Sequence, residues 1–124
     1  MKQRELKFRA WDKERRIMDY TDKDLRCDFS DGDVYVVNSQ GDFEDYELMQ
    51  FTGLHDKNGK EIFEGDLLKS SWPNPSRVMF VDYGFKKCFW DYANDRWIPE
   101  PLGENEEEIM GNIYDNPELL EETK

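Results

Sequence analysis

The stretch LMQFTGLHDKNGKEIFEGDLLK, residues 48–69, decides the fold. A strand-forming run reverses at His55-Asp56-Lys57-Asn58-Gly59-Lys60, resumes at Ile62-Phe63, and turns again at Glu64-Gly65-Asp66 before Leu67-Leu68. The first reversal supplies Asp and Asn, whose side chains hydrogen-bond nearby backbone, and a Gly that accepts positive φ. At the second, Gly65 interrupts an apolar run that restarts at once, the pattern of a bent or diverging turn in a small barrel. These features specify β-structure and name no substrate.

The flanking sequence is also short strands separated by turn residues. Leu6, Phe8 and Ala10 alternate with Lys7, Arg9 and Trp11, which sends the first set to a core and the charged set to an outward face. Residues 12–15 form the return and 17–20 the partner strand. Residues 25–30 and 34–38 flank Asp31-Gly32-Asp33 as a hairpin, closed by Gly41-Asp42. The consecutive apolar residues Val78 to Val81 mark 77–83 as the most buried strand, paired with 85–92 across Gly84. Trp72-Pro73-Asn74-Pro75 is a loop, since proline has no ladder donor. Residues 109–114 form a final strand with a bulge or close approach at Gly111. Asn116-Pro117-Glu118 then has the cap, first-turn proline and acidic first turn of a short helix through Leu120.

A length of 124 residues suits one domain, taken as 1–124. The net charge is -12 and the mean hydropathy -0.97, values that raise the question of disorder. Leu, Ile, Val and Phe total 27 residues, above the roughly 20% line below which chains fail to fold. Eight Phe, six Tyr and four Trp build a core from few large side chains. No apolar run approaches the roughly 18 residues of a membrane span, and the N-terminus is charged, so a cytoplasmic protein without membrane association is expected. Cys27 and Cys88 lie far apart with no CxxC and one His in the chain, the usage of two reduced thiols and not of a zinc site.

Residues 48–69 resemble the signature of the YopX family, small proteins encoded by bacteriophages and prophages. LKFRAWDKERRIM (6–18) resembles the family's opening strand pair and EIMGNIYDNPELL (108–120) its closing motif. The resemblance implies a mainly β domain with an SH3-like barrel core, additional N-terminal strands and a short C-terminal helix. It carries no assigned activity and no catalytic residues.

Three chemistries were weighed. Asp56, Asn58, Glu61, Glu64 and Asp66 superficially resemble a hard-cation site, but counted from Asp56 as position 1 an EF-hand register puts Lys60 at position 5, Gly59 at 4 and Leu67 at 12. Turns, with no metal and no cofactor, are the expectation. Cys-His catalysis would need His55, in an exposed turn, as its base. No phosphate-loop, zincin, nucleophile-elbow or dinucleotide motif is present.

Nucleic acid is the third. Residues 1–16 hold seven basic against three acidic side chains, and the remainder ten against twenty-six. The whole repels phosphate, yet Lys7, Arg9 and Trp11 combine cations with an aromatic platform, the ingredients of single-strand contact. Pairing of those cations with the chain's own acidic majority is electrostatically preferred. The chain is therefore read as a phage-type, non-enzymatic accessory or interaction protein with an unknown host or phage protein partner, open to homo-oligomerisation. The alternatives are a nucleic-acid-binding small β-barrel that uses Lys7, Arg9 and Trp11, and an enzyme of unidentified chemistry.

Overall fold

Short strands joined by tight turns make up the computed structural model, which describes residues 7–20, 25–27, 34–37, 43–44, 46–72 and 74–120. In chain order these are β1 (Phe8–Asp12), β2 (Ile17–Asp19), β3 (Leu25–Cys27), β4 (Val34–Val37), β5 (Phe43–Glu44), β6 (Tyr46–His55), β7 (Glu61–Phe63), β8 (Asp66–Leu68), β9 (Ser76–Val81), β10 (Gly84–Asp91), β11 (Arg96–Pro101) and β12 (Ile109–Asn112). They form sheets of order β2-β1-β6-β7, β11-β10-β9-β8-β12 and β3-β4-β5. The mainly β expectation holds. The expected helix at the C-terminus is one 3₁₀ turn, Pro117–Leu120.

The two turns of the opening stretch divide the work. Gly59, at φ 83°, reverses β6 into β7 within one sheet; Gly65, at φ 85°, carries the chain from β7 into β8 of the other. Glu64-Gly65-Asp66 is thus a diverging turn, closed by the Phe63 N–H donating to Asp66 Oδ2 at 2.8 Å. Both glycines hold backbone that a β-branched residue resists, so Gly59→Val and Gly65→Val are each expected to destabilise by about 1–3 kcal/mol. Gly65 should be the worse, because a Cβ there would lie 3.0 Å from Met49 Sδ. Urea denaturation checks this; an unchanged midpoint in either variant would contradict the assignment.

The hairpin expected from residues 25–38 is present as β3–β4, with Leu25 opposite Val36 and Cys27 opposite Val34. Its turn, Gly41-Asp42 and Leu6 lie outside the described residues, as does the Cys27 side chain. Gly111 combines both expected roles. The β12–β8 register shifts between Ile109 and Gly111, and Asn116 packs where a Cβ would stand.

Burial corrects one expectation. Ile62, Leu68 and Val78 form a core cluster bordered by Leu54, Leu102 and Ile109. In β9, however, only Ser76 and Val78 are buried, whereas all three residues of β8 are. Beyond Val78 the strand leaves the core for a hairpin with β10, where Phe80 has Phe85 as an edge-on neighbour at 5.1 Å. An apolar run signals interior only while a second layer covers it.

Candidate functional site

The expected alternation of β1 is not found: Arg9, Ala10, Trp11 and Asp12 are buried in succession, so the charged face points inward as well. Arg9 and Trp11 are 3% and 7% exposed, which corrects the expectation of an outward platform of Lys7, Arg9 and Trp11. The cause is cross-strand pairing. Arg9 stands opposite Met49 on β6, and that face looks onto the diverging turn and the C-terminal segment. Arg9 Nη2 contacts Asp66 Oδ1 at 2.8 Å and donates to the Glu64 carbonyl at 3.1 Å, with its guanidinium carbon 4.9 Å from the Phe63 ring centroid. Trp11 stacks on Tyr114 at 5.4 Å. Lys7, half-buried, reaches Glu61 at 2.6 Å, and Lys13 reaches Glu47 at 2.8 Å. The self-pairing anticipated from the charge pattern is the arrangement found. Burial pushes the Asp66 carboxyl up, against the pull of the adjacent Arg9 guanidinium.

The acidic turn residues also have internal work. Asp56 is 0% exposed. Its Oδ1 accepts from the N–H groups of Asn58 and Lys60 at 2.9 Å each, and its Oδ2 from Ile109 at 3.2 Å. Burial alone would raise its pKa, but these backbone donors outweigh burial and hold it below the ordinary aspartate value of 3.8. Ionised Asp56 therefore contributes stability above that value, lost as pH falls through its lower folded value. Glu64 Oε1 accepts from the Gln50 N–H at 2.9 Å, while Glu61 and Asp66 pair with Lys7 and Arg9. Among the described residues no group of three or more His, Cys, Asp or Glu side chains is placed to hold a metal.

His55 Nδ1 lies 3.3 Å from Glu104 Oε1 at the end of β6, and Cys88 is buried in β10 with its thiol pKa raised by burial. A cleft of about 620 Å³ lies over the Arg9–Asp66 pair, with Tyr20, His55, Lys60 and Phe63 among its walls. Among the described residues the buried Arg9 Nε has no hydrogen-bond partner.

The outward chemistry is aromatic. Trp72, Phe80, Tyr83 and Tyr92 are all exposed, and all belong to the β9–β11 ribbon or the loop before it. Trp72 stacks on Phe89 at 5.3 Å, and Trp90 meets Trp97 edge to face at 5.3 Å. At the β9–β10 tip Asp82 and Tyr83 hold φ of 50° and 66°, and the Tyr83 side chain is fully exposed. The sequence marks this hairpin but places its turn at Gly84, whereas Asp82 and Tyr83 make the turn and Gly84 opens β10. The signal available was Tyr83 at a two-residue hairpin turn, where Gly or Asn is the usual occupant.

A model of the YopX protein family matches residues 7–121. Protein EF1440 from Enterococcus faecalis is similar at 28% identity and a TM-score of 0.51, over 96% of this chain and 100% of that one. YopX from Bacillus subtilis shares the fold at 23% identity and a TM-score of 0.53, over 95% of this chain and 98% of that one. No curated protein matches. With motifs at its start, middle and end in the expected strands and a family model spanning nearly its whole length, this chain belongs to the YopX family.

Proposed function

We propose that the chain is a phage-type accessory protein that acts in the host cytoplasm as a non-enzymatic interaction module. This reading includes a single domain with an SH3-like core over β6–β12, supported by the diverging turn. One observation carries it. Tyr83 occupies a left-handed backbone position that disfavours a bulky side chain, yet its ring makes no use of the core. A residue kept against local conformational preference, fully in water and flanked by exposed Phe80, is explained by contact with a partner. The surrounding charge favours a protein over a nucleic acid, since the molecule carries -12 and the basic side chains Lys7, just before β1, and Arg9 within it are paired internally.

The test is Tyr83→Gly, which relieves the turn and should stabilise the fold by about 1 kcal/mol. Affinity capture from host lysate, with intact-complex mass measurement, should give a stoichiometric protein partner for the native chain and a loss of it for the variant. Capture that survives Tyr83→Gly unchanged would contradict the reading.

A further inference from the structure

At the other end of β10, three rings stand nearly at right angles. Trp90 meets Trp97 at 70°, and it meets Tyr92 at 83° with centroids 6.4 Å apart. Trp90 and Trp97 are direct cross-strand partners, so their rings share one face of the sheet. With Asn74, Pro75 and Leu120 they line a cleft of about 230 Å³.

The cleft is walled mainly by apolar and aromatic groups, and Asn74, Tyr92 and the two indoles are the lining residues that carry polar atoms. Asn74 Nδ2 donates to Tyr92 Oη at 2.8 Å, which occupies an acceptor position and leaves the Tyr92 proton to donate elsewhere. Among the described residues, neither indole N–H of Trp90 or Trp97 donates to a protein acceptor. Aromatic walls with three such donors call for a ligand that is flat, apolar and rich in unpaired carbonyls. Helices and paired strands have committed theirs. A polyproline II segment has not: its backbone makes no internal hydrogen bonds, and its conformation is preformed.

We propose that this cleft binds a proline-rich segment of a partner protein in the polyproline II conformation, prolines against Trp90 and Trp97 and carbonyls on the indole and Tyr92 donors. Aromatic-lined grooves recognise such segments by this division of labour. The proposal rests on the interaction-module reading above. Charge sets the flanks of the ligand. The segments that build the cleft carry Asp91, Asp95 and Glu118, while the exposed Arg96 sits 3.9 Å from Asp91, so basic residues beside the prolines are favoured. A quaternary ammonium would suit the rings but would leave all three donors without acceptors. The Arg77 guanidinium already lies 5.9 Å from the Trp97 centroid.

The full chain is titrated with a synthetic arginine-flanked proline-rich peptide, followed by tryptophan fluorescence and calorimetry. A glycine-serine peptide with the same arginines and tetramethylammonium serve as comparison ligands. Saturable binding is expected for the proline peptide alone, weakened about tenfold or more by Trp97→Ala. Tyr92→Phe keeps the ring, should keep the denaturation midpoint, and is expected to weaken binding about three- to tenfold. The assignment is overturned by absence of saturation, by equal binding of the glycine-serine peptide, by Kd values unchanged in both variants, or by displacement of the peptide by tetramethylammonium. Loss of capture by Tyr83→Gly without any peptide binding would remove the polyproline assignment and leave the interaction reading standing. Peptide binding with capture unaffected by Tyr83→Gly would do the reverse.

Discussion

Asp66→Ala is expected to destabilise the fold by about 3–5 kcal/mol, because it leaves the Arg9 guanidinium buried and charged without its counter-ion. Arginine cannot discharge itself by losing a proton. Arg9→Met should do less damage, since the orphaned Asp66 carboxyl can take up a proton. The sign follows from the raised folded pKa of Asp66: the fold favours the protonated acid, so this group adds stability as pH falls from above its raised value toward 3.8. Without Arg9 that window widens, and the deficit of Arg9→Met should shrink as the medium becomes acidic. Replacing the pair together, Arg9→Met with Asp66→Leu, should be near neutral, as is found when buried ion pairs give way to apolar residues of similar volume. Urea midpoints of the four proteins at neutral and mildly acidic pH check the set, and equal losses for the two single variants would contradict it.

Asp56→Ala should remove about 3 kcal/mol. Three backbone N–H groups, those of Asn58, Lys60 and Ile109, lose their acceptor together, at about 1 kcal/mol each. The turn would also part from the segment behind it, where the Lys57 N–H donates to the Glu107 carbonyl and the Asn105 N–H to the His55 carbonyl, each at 2.8 Å. In the native chain the Asp56 contribution is lost as pH falls below 3.8, whereas the variant has none to lose. The stability difference between native and Asp56→Ala proteins should therefore close in acid. A difference that stays constant down to acid unfolding would show that the carboxylate is not the acceptor.

Much of this was legible in residues 48–69, for a local reason. Gly59 and Gly65 are required by their own backbone, and Asp56 hydrogen-bonds within four residues of itself, so short-range chemistry specifies both turns. The strand β1 was legible too, but not the burial of both its faces. The inward turn of its charged face depends on β6 and on Asp66, over fifty residues away. Charge at Lys7 and Arg9 was read as a mark of solvent, and a carboxylate on the diverging turn removes that inference for Arg9. The burial of β9 was over-read by the same route in reverse: the apolar run Val78 to Val81 is real, but no described layer covers Phe80. The aromatic ribbon needed strand register before its rings could be assigned to faces, Phe89 to one and Trp90 with Trp97 to the other, and register is set by pairing, not by composition.

The account places the charged chemistry of this chain inside its fold and its partner contacts on the aromatic ribbon. A hydrogen-exchange footprint of the captured complex tests that division most directly. Added protection is predicted in residues 72–97, from the loop before β9 through the β10–β11 turn, with none in β1 or in the turns between 55 and 66. Protection confined to β1 and those turns would contradict it.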